Sequence, residues 1–354
     1  MNFLYIRILL SICLWIFFKV SYAQTIPTVF YLVENTSEQE ITNESINTFV
    51  QEINNGLSGF INCDSKMSNP NSDIELCLAQ RDIFNIPSNG LEVVSSIYNI
   101  VDLCTEEYDF KSSIHLPQDR FPTTEYLNIY LVDEICDSCQ PIGCYSLGYA
   151  TLPIMHGSIL DGIVVEKTLL EDGCKGIKTF LHELYHYLGL YHTFHNACEN
   201  ESCLIDGDQV CDTPPQHLEF IINSNGNCNG LAINSCDTDV NLSDPNNEFI
   251  IDENDPVYNI MTYGDAACLH NITEDQTDKI INHLHNDRKS LVYSDGCKSP
   301  CDDSEFLWEL ITPEFGLIDN SILLSATIND YNISWNINGG TFTGNSISFT
   351  FQEL

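Results

Sequence analysis

Just after Thr25 the run IPTVFYLVEN is β-branched and aromatic until Glu-Asn-Thr-Ser interrupts it, which predicts a strand. In TNESINTFVQEINNGL, residues 42–57, Ile46, Phe49, Val50 and Ile53 share one face, which predicts a helix capped by Asn43 or Thr42. DIELCLA at 73–79, YLNIYLVDE at 126–134 and DGIVVEK at 161–167 read as three further strands. Ile177, Leu181, Leu184 and Leu188 form one stripe and predict a helix over about 175–188. Residues 193–257 carry Gly, Asn, Asp and Cys without either period, so they read as a long loop that needs staples such as disulfides or metal. A last helix, about 274–291, follows Thr273 as N-cap with Gln276 at its third position.

The chain's two ends depart from this pattern. Residues 1–20 are apolar around Arg7, and Ser21-Tyr22-Ala23 then offers small residues at a signal-peptidase spacing. This predicts a signal peptide over 1–23, and a secreted, extracellular protein with no membrane insertion after cleavage. Beyond Lys298-Ser299-Pro300 the period becomes 2, with turns at Asn-Gly-Gly and Thr-Gly-Asn. A domain over 24–296 and a small β module over 304–354 are therefore expected. The final ISFTF runs into the end of the sequence, which leaves open whether the module is whole.

Charge and cysteine usage narrow the partners. With 13 Lys plus Arg against 51 Asp plus Glu, the surface repels nucleic acid and anionic lipid. Of sixteen cysteines, Cys13 falls in the leader, and the fifteen left fit an oxidising compartment. Cys136, Cys139 and Cys144 suit a zinc site or a redox pair, but in an exported chain disulfides are the expected use.

The chemistry is concentrated in HELYHYLGLYH, residues 182–192. Positions four apart on a helix lie one above the other, so His182 and His186 point two imidazoles at one ion. Glu183, one residue on, is expected beside the ion's open position, where it can hydrogen-bond a metal-bound water. A third ligand at His192 requires the chain to turn sharply, and Gly189 tolerates the positive φ that ends a helix. Three protein ligands leave zinc a free position, as catalysis needs. His195 has the wrong spacing for that turn and reads as a loop histidine.

With these residues, the chain resembles the pappalysin (cytophagalysin) family of metzincins over about residues 26–295. HELYHYLGLYHTF, GDQVCDTPP at 207–215, NIMTY at 259–263 and ITEDQTDKI at 272–280 resemble that family's zinc helix, Asp-Thr-Pro loop, Met-turn and closing helix. The resemblance implies an α+β, metzincin-type catalytic domain with a twisted mixed sheet, an active-site helix and a loop-rich C-terminal subdomain containing the Met-turn. It implies a zinc-dependent endopeptidase acting on protein or peptide substrates. Glu183 would be its base, Tyr263 a donor to the oxyanion, and Met261 the apolar floor under the histidines. It also implies Ca²⁺ held through Asp208, Val210 and Thr213, and disulfides Cys203–Cys236 and Cys228–Cys268, although Cys198 and Cys211 compete for these partners. Tyr185 stands where the family usually has Gly and should face away from the ligands. An acidic insertion, about 237–256, precedes the Met-turn. The C-terminal piece resembles a PKD-like or Ig-like β-sandwich. The rival functions are an inactive scaffold used for extracellular binding or adhesion, against which the intact Glu183 argues, and a zinc hydrolase of non-peptide substrates.

Overall fold

A computed structural model describes residues 24–34, 41–67, 69–116, 119–138, 143–218 and 233–300, together with the backbone of four strands between 321 and 350. The predicted leader lies outside the described residues, and within them no helix is long and apolar enough to cross a membrane.

The first strand, β1 (Gln24–Glu34), is buried from Ile26 through Val33. Successive strand side chains point to opposite faces, so a run this apolar must be covered on both. Phe30 and Leu32 join one apolar cluster, and Val29, Tyr31 and Val33 join a second. After α1 (Asn43–Leu57) come β2 (Ile74–Leu78), β3 (Leu91–Ser95), β4 (Ile100–Asp102), α2 (Glu107–His115), β5 (Leu127–Val132), β6 (Glu134–Asp137), β7 (Gly143–Ser146), β8 (Gly148–Ala150) and β9 (Ile163–Glu166). The main sheet runs β2-β1-β5-β9-β8, with β3 continuing along β1 beyond β2. All of its pairings are parallel except β8, which closes the sheet antiparallel to β9. β4, β6 and β7 form a smaller sheet.

Helices α1 and α3 (Cys174–Tyr187) contribute Ile46, Phe49, Ile53, Phe180, Leu181 and Leu184 to the first cluster, while α2 contributes Phe110 to the second. Thr42 is the cap of α1: its hydroxyl accepts from the Ser45 amide at 3.2 Å, and the Ser45 hydroxyl accepts from the Thr42 amide at 3.0 Å. A disulfide between Cys63 and Cys174 ties the chain after α1 to the first residue of α3.

Between α3 and α4 (Glu274–Asn286) the described residues form no helix of α type and no strand. Helix α4 begins with the expected reciprocal cap, the Thr273 hydroxyl accepting from the Gln276 amide and the Gln276 side chain accepting from the Thr273 amide. It stops earlier than the periodicity suggested. The chain breaks at Asp287-Arg288, where the Arg288 side chain is buried, and resumes as α5 (Lys289–Tyr293). Cys77–Cys297 then fastens the end of this unit to β2.

Chain contacts divide the protein into residues 1–298 and 299–354. In the second unit, β10 (Ser321–Ser325) pairs antiparallel with β13 (Ser346–Thr350), and β11 (Ser334–Ile337) with β12 (Gly340–Thr343).

Candidate metal centre

The end of α3 shapes the site. Gly189 takes φ +105, its amide donates to the His186 carbonyl, and the Leu190 amide donates to the Tyr185 carbonyl. This pair of bonds is a Schellman closure, in which the left-handed residue is usually glycine. The turn also orients a ligand, because the Leu190 carbonyl lies 2.7 Å from Nδ1 of His186. A Cβ on Gly189 would fall 2.3 Å from the ring of His283, so the position is closed to side chains by packing as well as by φ.

His182, His186 and His192 meet as the spacing predicted. Their Nε2 atoms stand 3.0 Å (182–186), 2.9 Å (186–192) and 3.1 Å (182–192) apart. The ring of His182 is oriented by the Ile260 carbonyl, 2.7 Å from its Nδ1. A neutral imidazole has one N–H. If Nδ1 of His182 and of His186 donate to these carbonyls, the two Nε2 atoms face each other as lone pairs. Three nitrogens converging in this way can hold a cation between them. Their separation of about 3 Å suits ligands each about 2.0–2.1 Å from one zinc ion. Burial holds all three imidazoles below the usual histidine range, with His186 near 3 and His192 near 2, where repulsion from the neighbouring rings adds to it. Neutral rings are the form that binds metal.

Glu183 lies beside the triad, under β8. It is buried, and burial pushes its carboxyl up to about 8. A Cβ on Gly148 would meet Glu183 Cγ at 2.6 Å, so the edge strand passes directly over this carboxylate because residue 148 has no side chain.

The segment 259–263 reaches the cluster through the Ile260 carbonyl on His182. Met261 is fully buried; its amide donates to Asn259 Oδ1 at 2.8 Å, and its carbonyl accepts from the Thr193 amide at 3.2 Å. The Asn259 amide group donates to Gln276 on α4. Gln216 Oε1 accepts from both Thr193 and Thr262, joining the His192 segment to the same turn. The Tyr263 ring lies 4.7 Å from that of His192, edge to face, and its hydroxyl pKa is raised by burial and by the charge of Glu183. Tyr185 is buried in the core, away from the ligands. His195 stacks on Tyr191 at 4.7 Å and takes no part in the cluster.

The proposed calcium donors also converge. Thr213 Oγ1 is 2.7 Å from Asp208 Oδ1 and 3.2 Å from the Val210 carbonyl. Burial raises the Asp208 carboxyl, and its other oxygen is 3.4 Å from the Gln276 amide, while Lys279 Nζ donates to its backbone carbonyl.

The implied pairing Cys203–Cys236 is not formed. Cys203 pairs with Cys211 and Cys198 with Cys236. The Asp206 carboxylate accepts from the amides of Glu201 and Ser202, closing a tight turn that returns Cys203 to Cys211. Asn200 donates to the Thr238 carbonyl and Thr238 to the Cys198 carbonyl, which sets Cys198 beside Cys236. Cys268 is disulfide-bonded, and Cys228 lies outside the described residues. Cys136 and Cys144 form a disulfide rather than a zinc or redox site, and Cys139 lies outside the described residues. Sequence reasoning missed Gly148 and Gln216, since a glycine in a short strand and a glutamine in a loop carry no pattern.

Residues 111–285 match the family model Peptidase_M43, described as pregnancy-associated plasma protein-A. An extracellular metalloprotease of Verticillium alfalfae is 29% identical over 171 residues, covering 46% of this chain and 50% of its own length. One of Arthroderma otae is 29% identical over 181 residues, covering 49% and 55%. The chain thus spans about half the length of the curated relatives it matches. Among solved structures, mirolysin in complex with compound 9 superposes with a TM-score of 0.53 at 22% identity, over 75% of this chain and 95% of that one. A promirolysin mutant from Tannerella forsythia gives 0.52 at 21%, over 77% and 85%. At these identities the likeness shows the fold, a mixed α/β architecture around a mainly parallel sheet.

Proposed function

With residues 111–285 belonging to the Peptidase_M43 metalloprotease family, we propose that this chain is a secreted, zinc-dependent endopeptidase. The observation that carries the reading is the convergence of three Nε2 atoms within 3.1 Å of one another beside a buried carboxylate. His182, His186 and His192 would hold the ion. Zinc, when bound, supplies Lewis-acid polarisation and lowers the pKa of water toward about 7.

The chain's own residues do the rest. Glu183 accepts a proton from the attacking water and returns it to the leaving amine; its place next to His182 on the same helix, buried beneath β8, puts a carboxylate where that proton must pass. Tyr263, half-exposed against His192, donates to the developing oxyanion. β8 is the last strand of the sheet order, so an extended peptide can add alongside it and bring its backbone over Glu183. Met261, fully buried in the same core cluster as helix α3, would supply the apolar floor under the rings. The disulfides and the extracellular relatives support secretion, with the leader over 1–23 as the export signal.

Calcium belongs to the same proposal. Asp208 Oδ1, the Val210 carbonyl and Thr213 Oγ1 are hard oxygen donors already gathered, and a bound ion would replace the Thr213 proton as their common partner. The domain assignment, 24–296 catalytic and 304–354 an accessory β-sandwich, is proposed with it.

The test is casein or peptide-library cleavage by the purified protein before and after chelation. Loss of cleavage on chelation and its return with zinc are expected; cleavage that persists without metal contradicts the reading.

A further inference from the structure

Arg288 is fully buried and none of the chemistry above uses it. Its guanidinium forks onto Asp161, Nη1 to Oδ2 at 2.6 Å and Nη2 to Oδ1 at 2.9 Å, and both side chains are 0% exposed. Nε donates to the Tyr187 carbonyl at 2.7 Å, and the guanidinium lies 3.4 Å from the centre of the Tyr187 ring. Nη2 also reaches the Thr151 carbonyl at 3.2 Å, and Nη1 approaches His156 Nδ1 at 3.2 Å. The Thr151 hydroxyl donates to Asp161 and accepts from the Gly162 amide.

The partners occupy telling places. Tyr187 is the last residue of the zinc helix and directly follows His186; its carbonyl is not used by the Schellman closure. Thr151 directly follows β8, whose Gly148 lies on Glu183. Asp161 and Gly162 lead into β9, the partner of β8. One planar cation therefore bridges the end of the zinc helix, the end of the edge strand and the start of that strand's neighbour. Burying such a pair is costly, and an apolar substitute often gives equal or greater stability. What a guanidinium fork adds is fixed geometry in several directions at once, which the ammonium of lysine does not provide.

We propose that Arg288, held by Asp161, is a positioning residue that sets the gap between β8 and the zinc helix, and so the register of a substrate strand over Glu183. The proposal rests on the protease reading for its kinetic consequence, while the gap itself is a property of the fold.

The experiment compares wild type, Arg288→Lys, Arg288→Ala and Asp161→Asn by zinc content, melting temperature, kcat and KM on a quenched peptide, and hydrogen exchange at Gly148–Ala150. Misplacement of reacting groups by an ångström costs about 10²-fold in rate. We expect Arg288→Lys to keep its zinc, to lose about that factor in kcat/KM through both kcat and KM, and to exchange the β8 amides faster while those of β5 stay protected. Guanidinium added to Arg288→Ala should restore part of kcat/KM. Should Arg288→Ala not fold, Arg288→Lys and Asp161→Asn carry the test. Wild-type kcat and KM per zinc-loaded molecule, with only a lowered melting temperature and unchanged β8 exchange, would overturn the proposal. If wild type itself does not cleave, the protease reading fails and the exchange arm alone decides the latch: faster β8 exchange in Arg288→Lys supports it, unchanged exchange removes it.

Discussion

The two parts of the molecule that meet at the histidines are built on opposite principles. Residues 24–190 bury apolar side chains on both faces of a sheet, and α1 and α3 present regular stripes to it. Between 191 and 273 much of the order is inverted. Asp208, Thr213, Gln216, Asp239, Asp244 and Asp255 are buried, while Leu204, Ile205, Leu242, Ile250 and Ile251 are exposed. Directional bonds replace the core: Asn200, Asn241 and Asn247 donate to backbone carbonyls across the loop, and disulfides that include Cys198–Cys236 and Cys203–Cys211 pin it. The sheet part supplies His182, His186 and Glu183 on one rigid helix. The loop part supplies His192, Met261 and Tyr263. Two of the three clustered histidines are thus anchored where packing is strongest, and the third comes from a region whose shape depends on cross-links and polar contacts.

The largest expected effect divides the reaction along this line. Glu183→Gln should lower turnover by about 10²–10⁴-fold, the usual contribution of general acid–base catalysis, while zinc content is kept. Tyr263→Phe, on the loop side, should cost less than Glu183→Gln; a larger loss in single-turnover assays would place the main catalytic contribution in the loop part instead. Next comes packing. Leu181→Ala should cost about 2–5 kcal/mol in a denaturant titration, as buried leucines do, whereas Leu242→Ala, at a position 88% exposed, should stay within about 0.5 kcal/mol. Equal costs would erase the contrast. Third, the staples should differ in proportion to the chain they close. Removing Cys198–Cys236, a separation of 38, should cost about 4 kcal/mol, and removing Cys203–Cys211, a separation of 8, about 2.5 kcal/mol. Exchange measured on each double serine variant would show whether the losses stay within the loop.

The smallest effect is electrostatic. Burial, then the charges of Asp252, Asp255 and Glu253, raises the Asp239 carboxyl to about 6. A folded pKa above the unfolded one gives stability that is fully present below about pH 4 and lost as pH rises through about 6. In calcium-free buffer Asp239→Asn should therefore melt higher than wild type at pH 7.5, with the advantage fading by pH 4. An advantage that is independent of pH would assign the effect to something other than charge.

The same contrast decides what the sequence could disclose. The strands β1, β5 and β9 were legible because burial on both faces leaves short continuous apolar runs, and helices α1 and α3 because burial on one face imposes a helical period. The convergence of His182, His186 and His192 was legible because helical spacing and one glycine turn fix where three rings can point. β3, with partly exposed LEVVS, and the nine-residue α2 had too little pattern to register. Helix α4 looked longer because Ile280, Leu284 and Leu291 keep helical spacing across the break at Arg288. A buried arginine leaves no mark in a sequence, since nothing local distinguishes it from a solvated one. The expected pairing Cys203–Cys236 failed for a related reason: connectivity depends on turns such as that closed by Asp206, which spacing alone does not fix.

The most direct test of the account is metal content and peptidase activity measured on one preparation of wild type and His192→Ala. The account predicts one tightly held zinc per wild-type chain, with cleavage lost on chelation and regained with zinc, and both metal and cleavage lost when the loop's ligand is removed. Full peptidase activity in His192→Ala, or in wild type stripped of its metal, would contradict it.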